Sequence, residues 1–280
     1  MSNYEIIKNT LNSTYKKYFD ECKKTNRCPQ IFDEDFVDKQ LFNYAASLNE
    51  GYGDSDSSKK LLVVGLEIAG NRKAQIDKIE IIEKTDPNKH WFWTMLTAIK
   101  FYYDINNEEM KELELKGNNE YGKMKEMYND IVRNKYNFAF TDYLKCGLSN
   151  DKNRKQKNVK RFTCMWENCA NLLLEEIKIL KPDLIILQNI HIFDYLIRIS
   201  GLNIKIINNQ PIYEKDLFKD KGNNIEMKLW KCELLDEKEK ITKQFYIIES
   251  YFPRSKFLST NKIDSMQELY NFIDKYKEIS

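Results

Sequence analysis

Three short segments place groups capable of acid–base or hydrogen-bonding chemistry directly after an apolar run. In LLVVGLEIAGN, 61–71, four apolar residues reach Gly65 and are followed by Glu67 and Asn71. In NFAFTDYLKC, 137–146, the run leads into Asp142, Lys145 and Cys146. In FYIIESYFPRS, 245–255, it leads into Phe252, Arg254 and Ser255. A carboxylate such as Glu67 can orient or deprotonate water, and a cation such as Arg254 can stabilise an anion that develops as a bond breaks. Each of these residues alone would be an ordinary loop residue; the same pattern three times over calls for a common site.

Apolar runs of this kind read as strands buried on both faces. The carboxyl edge of an open parallel sheet is where ligands bind, and there the three segment ends would converge. Strands are expected at 61–66, 137–143, 183–187 and 245–249, with shorter ones at 204–207 and 229–234. Helical spacing recurs between them. Trp91, Met95, Ile99 and Tyr102 share one face, a charged helix covers 108–134, and Leu172, Leu173, Ile177 and Leu180 face inward on a helix over 164–180 that stops before Pro182. A helix over 190–200 is capped by Gly201, and Met266, Leu269, Phe272 and Ile273 are in register on a last helix over 264–278. Strands alternating with helices predict an α/β fold, a three-layer α/β/α arrangement around a four-stranded, mostly parallel central sheet. This domain would span 59–280. Residues 1–58, with Tyr4, Ile7 and Leu11 at helical spacing, would form an N-terminal helical extension.

The chain has 280 residues, long enough for a sizeable core, and 31% charged and 13% aromatic residues, which argues against overall disorder. Its net charge is only +2, so a nucleic-acid partner must be argued from local clustering. One such cluster follows the second strand: Lys145, Lys152, Arg154, Lys155, Lys157, Lys160 and Arg161. No stretch has the length and apolarity of a membrane span, and the first residues lack the apolar core of a signal peptide. A cytoplasmic protein is expected, with no membrane partner and no obligate protein partner evident. Six cysteines in that compartment would be thiols or metal ligands rather than disulfides. No phosphate-binding P-loop, dinucleotide fingerprint or serine nucleophile elbow occurs.

In order along the chain, these segments resemble the motifs of the uracil-DNA glycosylase superfamily. VGLEIAG resembles that family's first motif, of the form GEAPG, which aligns Glu67 with its carboxylate. TDYLKC, 141–146, followed by Asn153 and Arg154, resembles TNVVKC and its Asn-Arg pair. CANLLLEEIKILKPDLIIL, 169–187, resembles the family helix and the strand after it. YFPRS, 251–255, stands where the family has HPS, and NKHWFWTMLTAI, 88–99, resembles the Asn-x-Phe-Trp helix of the mismatch-specific branch. The resemblance spans about residues 60–258.

It implies a monofunctional DNA glycosylase that flips a base out of DNA and hydrolyses its base–sugar bond. Glu67, Asn71 and Arg254 would be catalytic. Asp142, Phe252 and Trp91 would hold the base, and Lys145, Arg154, Lys155 and Ser255 would contact DNA phosphates. Two departures bear on the substrate. Phe252 replaces the family's histidine and cannot donate a hydrogen bond. Asp142 replaces an asparagine that pairs with uracil; an ionised aspartate only accepts, which suits the amino group of a cytosine derivative rather than a carbonyl. A modified or damaged base is therefore expected, in repair or in defence against phage DNA. The alternatives are a catalytically silent nucleic-acid-binding module on the same fold and an enzyme acting on free nucleosides or nucleotides. No cofactor is required. Some branches hold a 4Fe-4S cluster on four thiolates; the candidate ligands here are Cys22, Cys28, Cys146 and either Cys164 or Cys169. The five residues between Cys22 and Cys28 depart from the tight pair usual in that family, so ordinary packing thiols are the open alternative.

Overall fold

A computed structural model describes residues 1–25, 46–49, 52–54, 58–65, 91–115, 121–131, 136–143, 159–200, 203–220, 223–250 and 265–280. Its helices are α1 (Asn3–Thr25), α2 (Trp91–Tyr102), α3 (Asn107–Leu115), α4 (Tyr121–Asp130), α5 (Val159–Leu180), α6 (Ile190–Ser200) and α7 (Ser265–Ile279). Its strands are β1 (Ser47–Leu48), β2 (Lys60–Gly65), β3 (Asn137–Asp142), β4 (Leu184–Leu187), β5 (Ile204–Ile206), β6 (Tyr213–Asp220), β7 (Asn223–Leu235) and β8 (Ile241–Glu249). The chain is an α/β protein built on one open, mixed sheet.

Among the described residues, the sheet has eight strands in the order β1-β3-β2-β4-β8-β7-β5, with β6 also paired to β7. The pairs β3–β2, β2–β4 and β4–β8 are parallel; β1–β3, β7–β8, β5–β7 and β6–β7 are antiparallel. The four strands expected from the apolar runs are the parallel core. The expectation of a four-stranded, mostly parallel sheet is corrected at its margins. The two-residue β1 closes one side, and β7 with β5 and β6 extends the other. Such strands are hard to see in sequence because an edge strand buries little: Glu214, Lys215 and Asp216 of β6 are exposed, so its alternation carries charge instead of a clean apolar face.

Helices cover both faces. Leu62, Val64, Ala139, Ile185, Leu187, Phe245 and Ile247 pack with α1, α5 and α6, where Leu11, Leu173, Ile177 and Leu196 are buried. Leu61, Val63, Phe138, Phe140, Leu184, Ile186 and Ile248 pack on the other face with α2, α3, α4 and α7, where Leu96, Ile99, Met110, Met124 and Phe272 are buried. Burial on both faces explains why these strands read as unbroken apolar runs. The segment before residue 58 shares this core. Leu11, Tyr15 and Tyr52 belong to the first cluster, and Asn3 holds the turn at Gly53 and Asp54 through two hydrogen bonds.

The charged stretch expected as one helix over 108–134 is two, α3 and α4. Among the described residues, no helix is long and apolar enough to cross a membrane.

Candidate functional site

The four parallel strands end together. Gly65 is the register partner of Asp142, Val64 of Leu187, and Leu187 of Glu249. The ladder runs one step further: the N–H of Tyr143 donates to Gly65 O at 2.8 Å, that of Gln188 to Val64 O at 2.9 Å, and that of Ser250 to Leu187 O at 2.9 Å. Side chains alternate across a sheet, so each register row on one face can be followed from strand to strand. On the α2 face, one row is Phe138, Leu61, Leu184 and Tyr246, and the next is Phe140, Val63, Ile186 and Ile248. The row that follows, at the carboxyl edge, comprises positions 142, 65, 188 and 250: Asp, Gly, Gln and Ser. Two apolar rows thus give way to a polar one where the strands stop.

Gln188 is 2% exposed and Ser250 1% exposed, so this polarity is interior and must be satisfied within the protein or by a ligand. Ser250 Oγ donates to Leu187 O at 2.9 Å. Gln188 Nε2 donates to Thr94 Oγ1 at 3.4 Å, while Gln188 Oε1 is buried without a hydrogen-bond partner. Gly65, between them and position 142, adds no side chain to the row, and its backbone is that of an ordinary strand, without a positive φ.

Helix α2 runs antiparallel to the strands it covers. Its last residue, Tyr102, donates to Lys59 O at 3.2 Å and accepts from Leu61 N–H at 3.3 Å, at the amino end of β2. Its first turn, from Trp91 to Thr94, therefore lies at the carboxyl edge, where the free N–H groups and the helix dipole favour negative charge.

On the opposite face of the same edge, Glu249 ends β8. Its Oε2 accepts from Trp230 Nε1 at 3.0 Å, and the Trp230 ring stacks on Phe193 with centroids 4.8 Å apart. Burial pushes the Glu249 carboxyl up to about 7; Asp194 and Glu226 add to the rise, and the indole hydrogen bond and Lys228 oppose it. Nearby, Tyr143 donates to Trp166 O, and Trp166 stacks on Tyr195 at 5.0 Å. Burial is the largest cause of a strong upward shift of the Tyr143 phenol.

Two of the residues expected to form the site are described in their backbone. Trp91 begins α2, and Asp142 ends β3 beside Gly65. Glu67, Asn71, Lys145, Arg154, Lys155, Phe252, Arg254 and Ser255 lie outside the described residues, as do Cys28 and Cys146. Of the other candidate cluster ligands, Cys169, on α5, is buried in the apolar cluster, which suits packing. Cys22 and Cys164 lie on α1 and α5, which cross where Tyr18 donates to Asn168 O. Each is four residues from that contact. Among the described residues, no group of three or more His, Cys, Asp or Glu side chains could hold a metal ion.

Gln188 and Glu249 were not anticipated, although each carries a signal. Gln188 is the first polar residue after DLIIL, and Glu249 ends FYIIE, the same apolar-run-then-polar pattern that singles out Glu67. Two cavities, of about 630 Å³ beside Lys181, Asn203 and Asp236 and about 300 Å³ among Lys59, Tyr102, Tyr136 and Tyr276, lie at the amino edge, away from this row. Compared with known protein families and with curated proteins, the chain matches none.

Proposed function

We propose that the protein is a DNA glycosylase, a divergent relative of the uracil-DNA glycosylase superfamily that hydrolyses the base–sugar bond of a flipped, modified or damaged base. The observation that carries this reading is the pairing of Gly65 with Asp142 in adjacent parallel strands, so that the first two motif-bearing segments leave the sheet side by side. The ends of β4 and β8 on the same edge, and the change from apolar to polar rows there, give further support.

In the proposed reaction the base leaves its stack and its sugar gains oxocarbenium character. Glu67 orients or deprotonates the attacking water and opposes the positive charge on the sugar. Asn71 holds that water or the sugar, and Arg254 supplies the positive charge that Phe252, replacing histidine, cannot. Trp91 and Phe252 stack on the base. Lys145, Arg154, Lys155 and Ser255 hold the phosphates that flank it. Should the protein carry a 4Fe-4S cluster, Cys22, Cys28, Cys146 and Cys164 are its proposed ligands, since Cys169 is committed to the core. Such a cluster would be structural in this role, and iron content after anaerobic purification tests it.

The deciding experiment incubates the protein with duplex oligonucleotides that each carry one modified base, followed by alkaline cleavage of abasic sites. Base release should fall about 100-fold or more in Glu67→Gln. DNA binding without release from any duplex would leave a binding module instead.

A further inference from the structure

We infer that Lys228 is the moving part of a pH-sensitive switch: it holds Glu226 while Glu249 is protonated and crosses to Glu249 when that carboxyl ionises, and the Trp230–Phe193 stack carries the change into the first turn of α6. This goes beyond the glycosylase reading and does not depend on it.

The register of three antiparallel strands supplies the geometry. Lys228 of β7 is the partner of Glu214 on β6 and of Glu249 on β8, so one row across the sheet reads glutamate, lysine, glutamate. Alternate residues of a strand share a face, which puts Glu226 and Trp230 on either side of Lys228 along β7. Neighbouring strands lie about 4.8 Å apart and alternate residues about 7 Å apart, so a lysine stem reaches all three glutamates. Its ammonium is 2.7 Å from Glu226 Oε2 and 5.9 Å from the centre of the Trp230 ring. The hydrogen bond from Glu226 raises the Lys228 pKa, burial opposes the rise, and the charges of Glu226, Glu249 and Glu214 add to it. One cation thus serves three carboxylates. Further acidic groups surround it: Asp194 of α6 acts on Glu249, and Asp216 of β6 is the partner of Glu226. From β4 the neighbour of Glu249 is Leu187, which carries no charge. α6 also carries His191, whose ring centroid is 6.3 Å from that of Trp166.

The exchange is easy in such a place. A partly exposed ion pair is weak, so Lys228 leaves Glu226 readily once a second carboxylate ionises beside it. Ionisation also strengthens the Trp230 hydrogen bond, because an N–H donates more strongly to a carboxylate than to a neutral carboxyl. The indole lies on Phe193 with centroids 4.8 Å apart and planes 15° apart. Phe193 stands in the first turn of α6, which begins just after Gln188 of the polar row. A displacement of the indole is therefore delivered to the carboxyl edge of the sheet.

The test follows the Trp230 indole N–H by nitrogen–proton NMR between pH 5 and pH 9, with Trp230→Phe to assign it. In the wild type this resonance should titrate with a midpoint of about 7, and the backbone N–H of Phe193 should shift with the same midpoint. Glu249→Gln should abolish both titrations. Glu226→Gln leaves Lys228 to Glu249 and should lower the midpoint by about 1 pH unit, and Lys228→Met should raise it by about as much. His191→Gln should change neither titration. Circular dichroism checks that each variant is folded. An indole resonance that does not titrate, a titration that survives in Glu249→Gln or is lost in His191→Gln, a midpoint unmoved by Glu226→Gln, or a Phe193 N–H that does not follow the indole would overturn the inference.

Discussion

The indole N–H of Trp230 donates to Oε2 of Glu249 at 3.0 Å, joining two antiparallel strands at the edge where the parallel strands end. The bond holds a carboxyl group in a place where burial favours its protonated form. The same strand pair sets Lys228 opposite Glu249, and Lys228 is also held by Glu226 at 2.7 Å. The cation that could keep Glu249 ionised is therefore shared.

This arrangement makes stability depend on pH. The Glu249 carboxyl is raised from 4.5 to about 7 in the folded chain, so its contribution is full below about pH 4.5 and is lost as pH rises through about 7. The loss amounts to about 3 kcal/mol. Urea unfolding at pH 5 and pH 8 should show that loss in the wild type and a much smaller one in Glu249→Gln, which keeps an acceptor for Trp230. Equal pH dependence in both proteins would rule the assignment out.

Tyr15 fastens the N-terminal helix to the core. Its hydroxyl donates to Glu176 Oε1 and accepts from Ala46 N–H at 2.8 Å, while Thr141 Oγ1 donates to the same carboxylate oxygen at 3.0 Å. Tyr15→Phe removes a donor from a buried carboxylate and an acceptor from a backbone N–H. A destabilisation of about 1–3 kcal/mol is expected in chemical denaturation. Hydrogen exchange should rise first in α1.

Lys100 is 1% exposed, yet its ammonium meets Asp274 at 2.7 Å and donates to Ile105 O at 2.8 Å. This ties α2 to α7 behind the candidate site. Asp274→Ala strands a buried charge and should cost up to about 3 kcal/mol, with Asp274→Asn recovering part of it. Thermal unfolding of both variants measures the difference. A smaller loss for the alanine variant than for the asparagine variant would contradict this role.

The proposed phosphate contacts predict a salt signature. DNA affinity should fall steeply with salt, and Arg154→Ala and Lys155→Ala should each lower the slope of log affinity against log salt by about 1. Fluorescence anisotropy at several salt concentrations reads it directly. An unchanged slope would remove the basic segment from the DNA interface.

The apolar runs at 61–64, 138–140, 184–187 and 245–248 determined the parallel core, because a strand buried on both faces is filled mainly by apolar residues. Helical spacing likewise determined which sides of α5 and α7 face inward: Leu172, Leu173, Ile177 and Leu180, and Met266, Leu269, Phe272 and Ile273, are all buried. Such patterns are local, since they need only the period of the element itself. The tertiary structure alone decided the rest. Edge strands β1 and β6 bury too little to leave an apolar signature, so their place depends on the neighbours they pair with. The row of Asp142, Gly65, Gln188 and Ser250 joins four strands far apart in the chain, and only their register sets it on one face. The raised pKa of Glu249 comes from burial, with Asp194 and Glu226 adding to it and Trp230 and Lys228 opposing it, and none of these can be inferred from FYIIE alone. Strand periodicity is a property of a few consecutive residues; register, burial and desolvation belong to the assembled sheet.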